Sequence, residues 1–166
     1  ILADAVIEGP KQQKLTKPYL VYPRNGVRPF AMAGIWDEWA DPKTGEILRS
    51  FAILTTVANT LLQTIGHHRS PVLLPEENEH AWLDLSTPLA DITAMLGPFP
   101  SNAFNAYPIS PEIRDPRVNG SDLLQPIGQR IHVEHEFMLH QELELFGMGE
   151  SRARNRRSGE QGALFS

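Results

Sequence analysis

Lys17-Pro18-Tyr19-Leu20-Val21-Tyr22 sets strand-forming residues in a row, and Pro23-Arg24-Asn25-Gly26 follows at once. An Asn-Gly pair tolerates the positive φ of a two-residue hairpin turn, so it is a strong local hairpin signal. Working outward from that turn, Arg28 to Trp36 reads as the return strand. Asp41-Pro42-Lys43-Thr44-Gly45-Glu46 is a second cluster of turn formers. Ser50-Phe51-Ala52-Ile53-Leu54-Thr55 is a short, nearly continuous apolar run, the pattern of a buried strand. Consecutive strands joined by turns imply an antiparallel sheet.

Beyond this region the period changes. Val57, Leu61, Leu62 and Ile65 fall at helical spacing, with Thr56 in the N-cap position. Pro71-Val72-Leu73-Leu74 reads as a short strand. Pro75-Glu76-Glu77 opens a second helix that runs through Trp82-Leu83, with its acids at the positive end of the helix dipole. Thr87-Pro88 opens a third, ending near Met95-Leu96 with Gly97 as its C-cap. Ala103 to Ser110 is extended, and Ser110 to Gln129, punctuated by Pro, Gly and Asn, reads as a long ordered loop. A strand-rich start followed by a helical middle predicts an α+β fold. Residues 1–146 read as one domain. Residues 147–166, with Arg152, Arg154, Arg156 and Arg157 among Ser, Gly and Glu, read as a flexible tail.

The chain has 166 residues, Lys+Arg 15 against Asp+Glu 20 for a net charge of −5, and no cysteine. The missing cysteine excludes a disulfide framework, a Cys-zinc site and a thiol nucleophile carried on these residues. No apolar run approaches the roughly 20 residues of a membrane span, so no membrane association is expected. The 14 prolines exceed the usual share of about 5% and predict many turns. Ile1 to Gly9 lacks the basic start of a signal peptide, and the chain opens inside an apolar stretch, as if cut from a longer protein.

Five segments hold candidate chemistry. Glu8 ends the apolar run Ala5-Val6-Ile7, where a carboxylate is either a catalytic acid with a raised pKa or an ordinary strand-end charge. His67-His68-Arg69-Ser70-Pro71 offers a general acid or base and an anion clamp. The alternative there is a helix end whose side chains satisfy the last carbonyls, and adjacent histidines are expected to point to different sides. Gly34-Ile35-Trp36-Asp37-Glu38-Trp39 reads as core tryptophans with solvated acids. His132-Val133-Glu134-His135-Glu136, with His140, has the look of a metal cluster but no matching ligands elsewhere, and reads as surface. The arginine-rich tail either neutralises phosphates or is simply solvated. No metal and no cofactor is expected.

Several segments together resemble one family, the SRAP (SOS response-associated peptidase) domain family. Ile1-Leu2-Ala3-Asp4-Ala5-Val6-Ile7-Glu8 is similar to its I-P-A-D-G-F-Y-E motif, and Lys17-Pro18-Tyr19 to Q-P-Y. Phe30 to Trp36 resembles F-A-F-A-G-L-W, and Ser50 to Asn59 resembles T-F-T-I-I-T-T-E-A-N. His67-His68-Arg69-Ser70-Pro71-Val72-Leu73-Leu74 resembles H-D-R-M-P-V-I-L; Trp82-Leu83-Asp84 and Tyr107-Pro108-Ile109-Ser110 match W-L-D and Y-P-V-S. Order and spacing agree from Ile1 to about Ser110. Gly9, Ala5, Gly66 and Ser70 depart from the family's Trp, Gly, Ile and Met.

The resemblance implies a curved antiparallel, barrel-like sheet with flanking helices. It implies a protein that acts on abasic sites in single-stranded DNA, in the bacterial cytoplasm and on the nucleoid. In that family an N-terminal cysteine, freed by autoproteolytic removal of the initiator Met, captures the ring-opened sugar as a thiazolidine DNA–protein crosslink. By motif position Glu8 and His67 would be the catalytic acid–base residues, with Arg69 and Thr55 on the DNA path. The family's Met-Cys-Gly start and its Asn-Ala-Arg motif are expected before Ile1, in a segment of about 80–100 residues, roughly a third of a domain by usual sizes. The rival expectations are a non-covalent single-stranded DNA-binding module and a true peptidase.

Overall fold

The structure is a computed structural model, and it describes residues 1–133. Residues Tyr19–Pro23 form strand β3, which lies in the middle of its sheet rather than in a hairpin. The chain begins with two shorter strands, β1 (Leu2–Ala3) and β2 (Val6–Glu8). One edge of β3 is taken by β2, in the antiparallel register Val6 to Val21 and Glu8 to Tyr19. The other edge is taken by β10 (Phe104–Pro108), the last strand among the described residues, pairing Phe104 with Pro23 and Pro108 with Tyr19.

The expected hairpin at Asn25-Gly26 is therefore corrected. The dipeptide does turn the chain: Gly26 has φ 69°, and Asn25 Oδ1 accepts from the Val27 amide at 3.1 Å. But both edges of β3 are already occupied, so the chain leaving the turn has nowhere to pair there. It goes on as β4 (Phe30–Met32), which sits between β1 and β9 (Leu73–Leu74).

The next strands are β5 (Gly34–Ala40) and β6 (Ile47–Ile53), paired in register from Gly34 with Ile53 to Ala40 with Ile47. Their connection is the expected Asp41–Glu46 turn. Asp41 Oδ1 accepts from the Lys43 amide at 2.7 Å, and the Asp41 amide donates to the Glu46 carbonyl at 2.8 Å. The burial expected of the Ser50–Thr55 run is not found in β6. Among the described residues strands β5 and β6 pair only with each other, and the ribbon is exposed throughout β6. Trp36 and Phe51, directly opposite one another, are 72% and 71% exposed, and Trp39 is 56% exposed, so these tryptophans are not core residues.

Strands β7 (Thr55–Val57) and β8 (Arg69–Pro71) pair antiparallel, Thr55 opposite Pro71 and Val57 opposite Arg69. Single residues separate β4 from β5, β6 from β7 and β8 from β9: Ala33, Leu54 and Val72. Their backbones close a ring of hydrogen bonds. Ala33 donates to Val72 at 2.9 Å, Val72 to Leu54 at 3.0 Å, and Leu54 to Ala33 at 2.9 Å. At this junction each strand changes partner, so the antiparallel pairs bend away from one another and, among the described residues, do not close into a barrel.

Helix α1 (Thr60–Ile65) is capped by Asn59, not Thr56, and Val57 lies in β7 instead of on the helix. Leu61, Leu62 and Ile65 from α1 pack with Val21, Phe99, Phe104 and Ala106 in the larger core cluster. A smaller cluster gathers Ala31, Ala33, Val72 and Leu74. Helices α2 (Glu76–Leu83) and α3 (Leu89–Ala94) begin directly after Pro75 and Pro88. The expected loop from Ser110 contains two single 3₁₀ turns, Pro111–Arg114 and Ser121–Leu124. The expected α+β class with antiparallel sheets and few helices is what the fold has. The expected tail at 147–166, most of the histidine-rich segment and the 146 boundary lie outside the described residues.

Candidate active site

Glu8 is the last residue of β2, and its alternation along the strand directs it towards the turn after α1. That turn is built by helix termination. Gly66 takes the left-handed conformation, φ 86° and ψ 17°. The Gly66 amide donates to the Gln63 carbonyl and the His67 amide to the Leu62 carbonyl, each at 2.9 Å. This is the paired-bond helix end that glycine favours because it has no Cβ to clash. It fixes the backbone of His67 by the geometry of α1.

The His67 ring is then oriented from both sides. Nδ1 lies 2.7 Å from the Gly9 carbonyl, which can only accept, so Nδ1 carries the proton. Nε2 lies 3.3 Å from Glu8 Oε2. With the Nδ1 proton held by Gly9, Nε2 and Oε2 face one another at a distance over which one proton can pass between them. Both side chains are about one-fifth exposed, 21% and 22%, so each is shielded yet reachable. Burial pushes the Glu8 carboxyl above its ordinary value, and the His67 charge partly offsets that rise. A carboxyl raised in this way suits proton donation and acceptance closer to neutral pH.

Arg69 and Thr55 meet across the β7–β8 pair. Arg69 Nε donates to Thr55 Oγ1 at 2.7 Å, and Nη2 donates to the Thr55 carbonyl at 2.6 Å. The guanidinium is exposed but held in one orientation. His68, expected on the opposite side from His67, has its ring centroid only 5.3 Å away, because residues 67 and 68 lie in neither a strand nor a helix. So the structure brings Glu8 and His67 together, and pairs Arg69 with Thr55 on the adjoining strands.

Other candidates fall away. Glu38 forms an ion pair with Arg49 at 2.5 Å on the exposed ribbon, and Asp37 accepts from the Glu38 amide at 2.8 Å, so these acids are solvated as expected. Among the described residues no group of His, Cys, Asp and Glu is placed to hold a metal. No described helix is long and apolar enough to cross a membrane. An apolar cavity of about 370 Å³, lined by Phe30, Leu73, Met95, Phe99 and Phe104 among others, includes none of the four candidates. Sequence reasoning missed the Gly9 carbonyl that sets the His67 tautomer. A backbone acceptor leaves no mark on residue identity.

The fold and site define a class: an α+β protein of antiparallel sheets with a shielded Glu–His pair and an arginine anchored on the adjoining strands. The family model for "SOS response associated peptidase (SRAP)" matches residues 1–116, and the chain belongs to that family. It is 31% identical over 126 residues to the abasic site processing protein YoqW of Bacillus subtilis, covering 75% of this chain and 55% of that protein. It is 31% identical over 146 residues to the abasic site processing protein HMCES of Gallus gallus, covering 76% and 43%. A crystal structure of a Bacteroides thetaiotaomicron protein superposes with a TM-score of 0.69 at 32% identity, over 77% of this chain and 56% of that one. The chain spans about half the length of the curated relatives it matches.

Proposed function

We propose that this chain carries the acid–base part of a site that processes abasic positions in single-stranded DNA. The observation that carries it is the 3.3 Å approach of Glu8 Oε2 to His67 Nε2, two motif residues far apart in sequence. The relatives it resembles are named for abasic site processing, which supports the substrate class.

An abasic sugar exists as a closed hemiacetal in equilibrium with an open C1′ aldehyde. Opening moves a proton from the C1′ hydroxyl and delivers one to the ring oxygen, and a shared-proton Glu–His pair suits both transfers. His67 serves the ring oxygen and Glu8 the incoming amine. With a cysteine whose α-amine is free, the amine condenses with the aldehyde and water leaves. The thiol then adds across the imine carbon, so that aldehyde and aminothiol become thiazolidine plus water. These 166 residues contain no cysteine, so that nucleophile comes from sequence outside them. Arg69 holds a backbone phosphate, and Thr55 holds Arg69. The setting is the cytoplasm, on damaged DNA.

The test uses the full-length protein and an abasic single-stranded oligonucleotide on a denaturing gel. A denaturant-resistant shifted band is expected, formed more slowly by Glu8→Gln and reversed more slowly by His67→Ala. No band from protein with a free N-terminal cysteine refutes the crosslinking chemistry. Binding without a band favours a non-covalent module. Cleavage of unrelated peptides that Glu8→Gln abolishes favours a peptidase.

A further inference from the structure

Two hydrogen bonds join the segment after β2 to the segment after α1. The Lys11 amide donates to the Gly66 carbonyl at 3.1 Å, and His67 Nδ1 donates to the Gly9 carbonyl at 2.7 Å. This lacing brings the segment of Lys11 against that of His68; both residues and Arg69 are exposed, and the charges of Lys11 and Arg69 act on the His68 ring. The charged and titratable groups around His68 are Lys11 from the neighbouring segment and His67 and Arg69 from its own, with Glu8 reached across His67. Among the described residues neither Lys11 nor His68 forms an ion pair, and Glu8 is engaged by His67.

We propose that Lys11, His68 and Arg69 form a phosphate-binding rim beside the Glu8–His67 pair, and that His68 makes its grip on a nucleic-acid backbone tighten as pH falls. This rests on the DNA reading above and deepens it by assigning Lys11 and His68.

The physical case is unrelieved repulsion. Partial desolvation and then the charges of Lys11, His67 and Arg69 hold the His68 imidazole below its usual value. Neighbouring cations repel one another, and an anion bound among them relieves that repulsion. A phosphodiester accepts from the Lys11 ammonium, the His68 imidazolium and the guanidinium N–H groups that Thr55 leaves open. Its charge favours protonated His68, so binding takes up a proton, and by linkage affinity rises as that proton becomes available. An Asp in the same place would repel the same phosphate at every pH above its own titration.

Fluorescence anisotropy with single-stranded DNA lacking any abasic site separates binding from chemistry. Wild type is expected to bind several-fold tighter near pH 6 than near pH 8. His68→Gln should flatten that dependence, His68→Asp should weaken binding by about tenfold at either pH, and Lys11→Ala should lower the salt slope by about one phosphate contact. Both side chains are on the surface, and unchanged melting curves check that the variants fold. Wild-type binding with an unaltered pH profile in His68→Gln, or an unaltered salt slope in Lys11→Ala, overturns the rim alone. A wild type that binds no single-stranded DNA overturns the rim and the DNA reading together. Inorganic phosphate that displaces DNA far better than chloride at equal ionic strength overturns the assignment to a nucleic-acid backbone.

Discussion

Asn59 makes two bonds that tie the short helix before His67 to the rest of the molecule. Its Oδ1 accepts from the Leu62 amide at 3.0 Å, and its Nδ2 donates to the Phe99 carbonyl at 3.0 Å. Helix α1 has only six residues, too few to be stable alone, so its cap carries unusual weight. Removing an Asn cap costs about 1 kcal/mol. Leaving the carbonyl of the buried residue Phe99 without its donor costs about 1 kcal/mol more. Asn59→Ala should therefore destabilise by about 2 kcal/mol, which for a domain of this size lowers Tm by about 4–8 °C. Asn59→Ser keeps an acceptor for the cap but cannot reach Phe99, so it should cost about half as much. Urea unfolding, followed by circular dichroism and tryptophan fluorescence, measures both. Hydrogen exchange at the His67 amide, bonded to Leu62 at 2.9 Å, reports whether the loss reaches the site. An Asn59→Ala protein within about 0.5 kcal/mol of wild type, inside the range of ordinary surface changes, would show that neither bond matters. Equal losses for Ala and Ser would refute the division between cap and carbonyl.

Burial raises the Glu8 carboxyl above its ordinary 4.5. The folded state thus holds this proton more tightly than the unfolded chain, and stability contributed by Glu8 is full below pH 4.5 and lost as pH rises through the raised value. Glu8→Gln should flatten that decline in urea midpoints, and in a His67→Gln background, where the offsetting charge is gone, wild-type Glu8 should make it steeper. Identical slopes with and without Glu8 would exclude the carboxyl as its source. Gly66→Ala should cost about 1 kcal/mol by calorimetry, because φ 86° is left-handed while the nearest atom to an added Cβ, at Pro10, stands at an ordinary 3.5 Å. A larger loss would mean that crowding, not backbone conformation, sets the cost. Leu62→Ala, from a fully buried position, should lose about 2–5 kcal/mol; a loss under 1 kcal/mol would mean the larger cluster refills the cavity.

Local chemistry was legible wherever it acts over a few residues. Pro75 and Pro88 start helices because proline needs no amide partner there, and Asp41 organises its turn with its own side chain. The motif order from Ile1 to Ser110 was legible as well, and the family match over residues 1–116 agrees with it. Partner choice was not. Asn25-Gly26 announces a hairpin, yet whether the following strand returns depends on β2 and β10 already holding β3. Apolar runs in Ile47–Ile53 announce burial, yet burial depends on what faces the ribbon. The cap moved from Thr56 to Asn59 because strand β7 claims Thr56 and Val57 for pairing with Ser70 and Arg69.

By itself the sequence determined the α+β class, the candidates Glu8, His67, Arg69 and Thr55, and the absence of a thiol from these residues. The class and the missing thiol follow from residue identity and short-range order, and the four candidates from the motif resemblance. Only the tertiary structure decided that Glu8 and His67 meet at 3.3 Å, that Gly9 orients the ring between them, and that Ala33, Leu54 and Val72 close the junction where the strands change partner. Each of these is a contact between distant segments made by backbone groups or by the endpoints of folded elements. Every residue has such a backbone, so nothing in the order of side chains along the chain marks where those groups will pair.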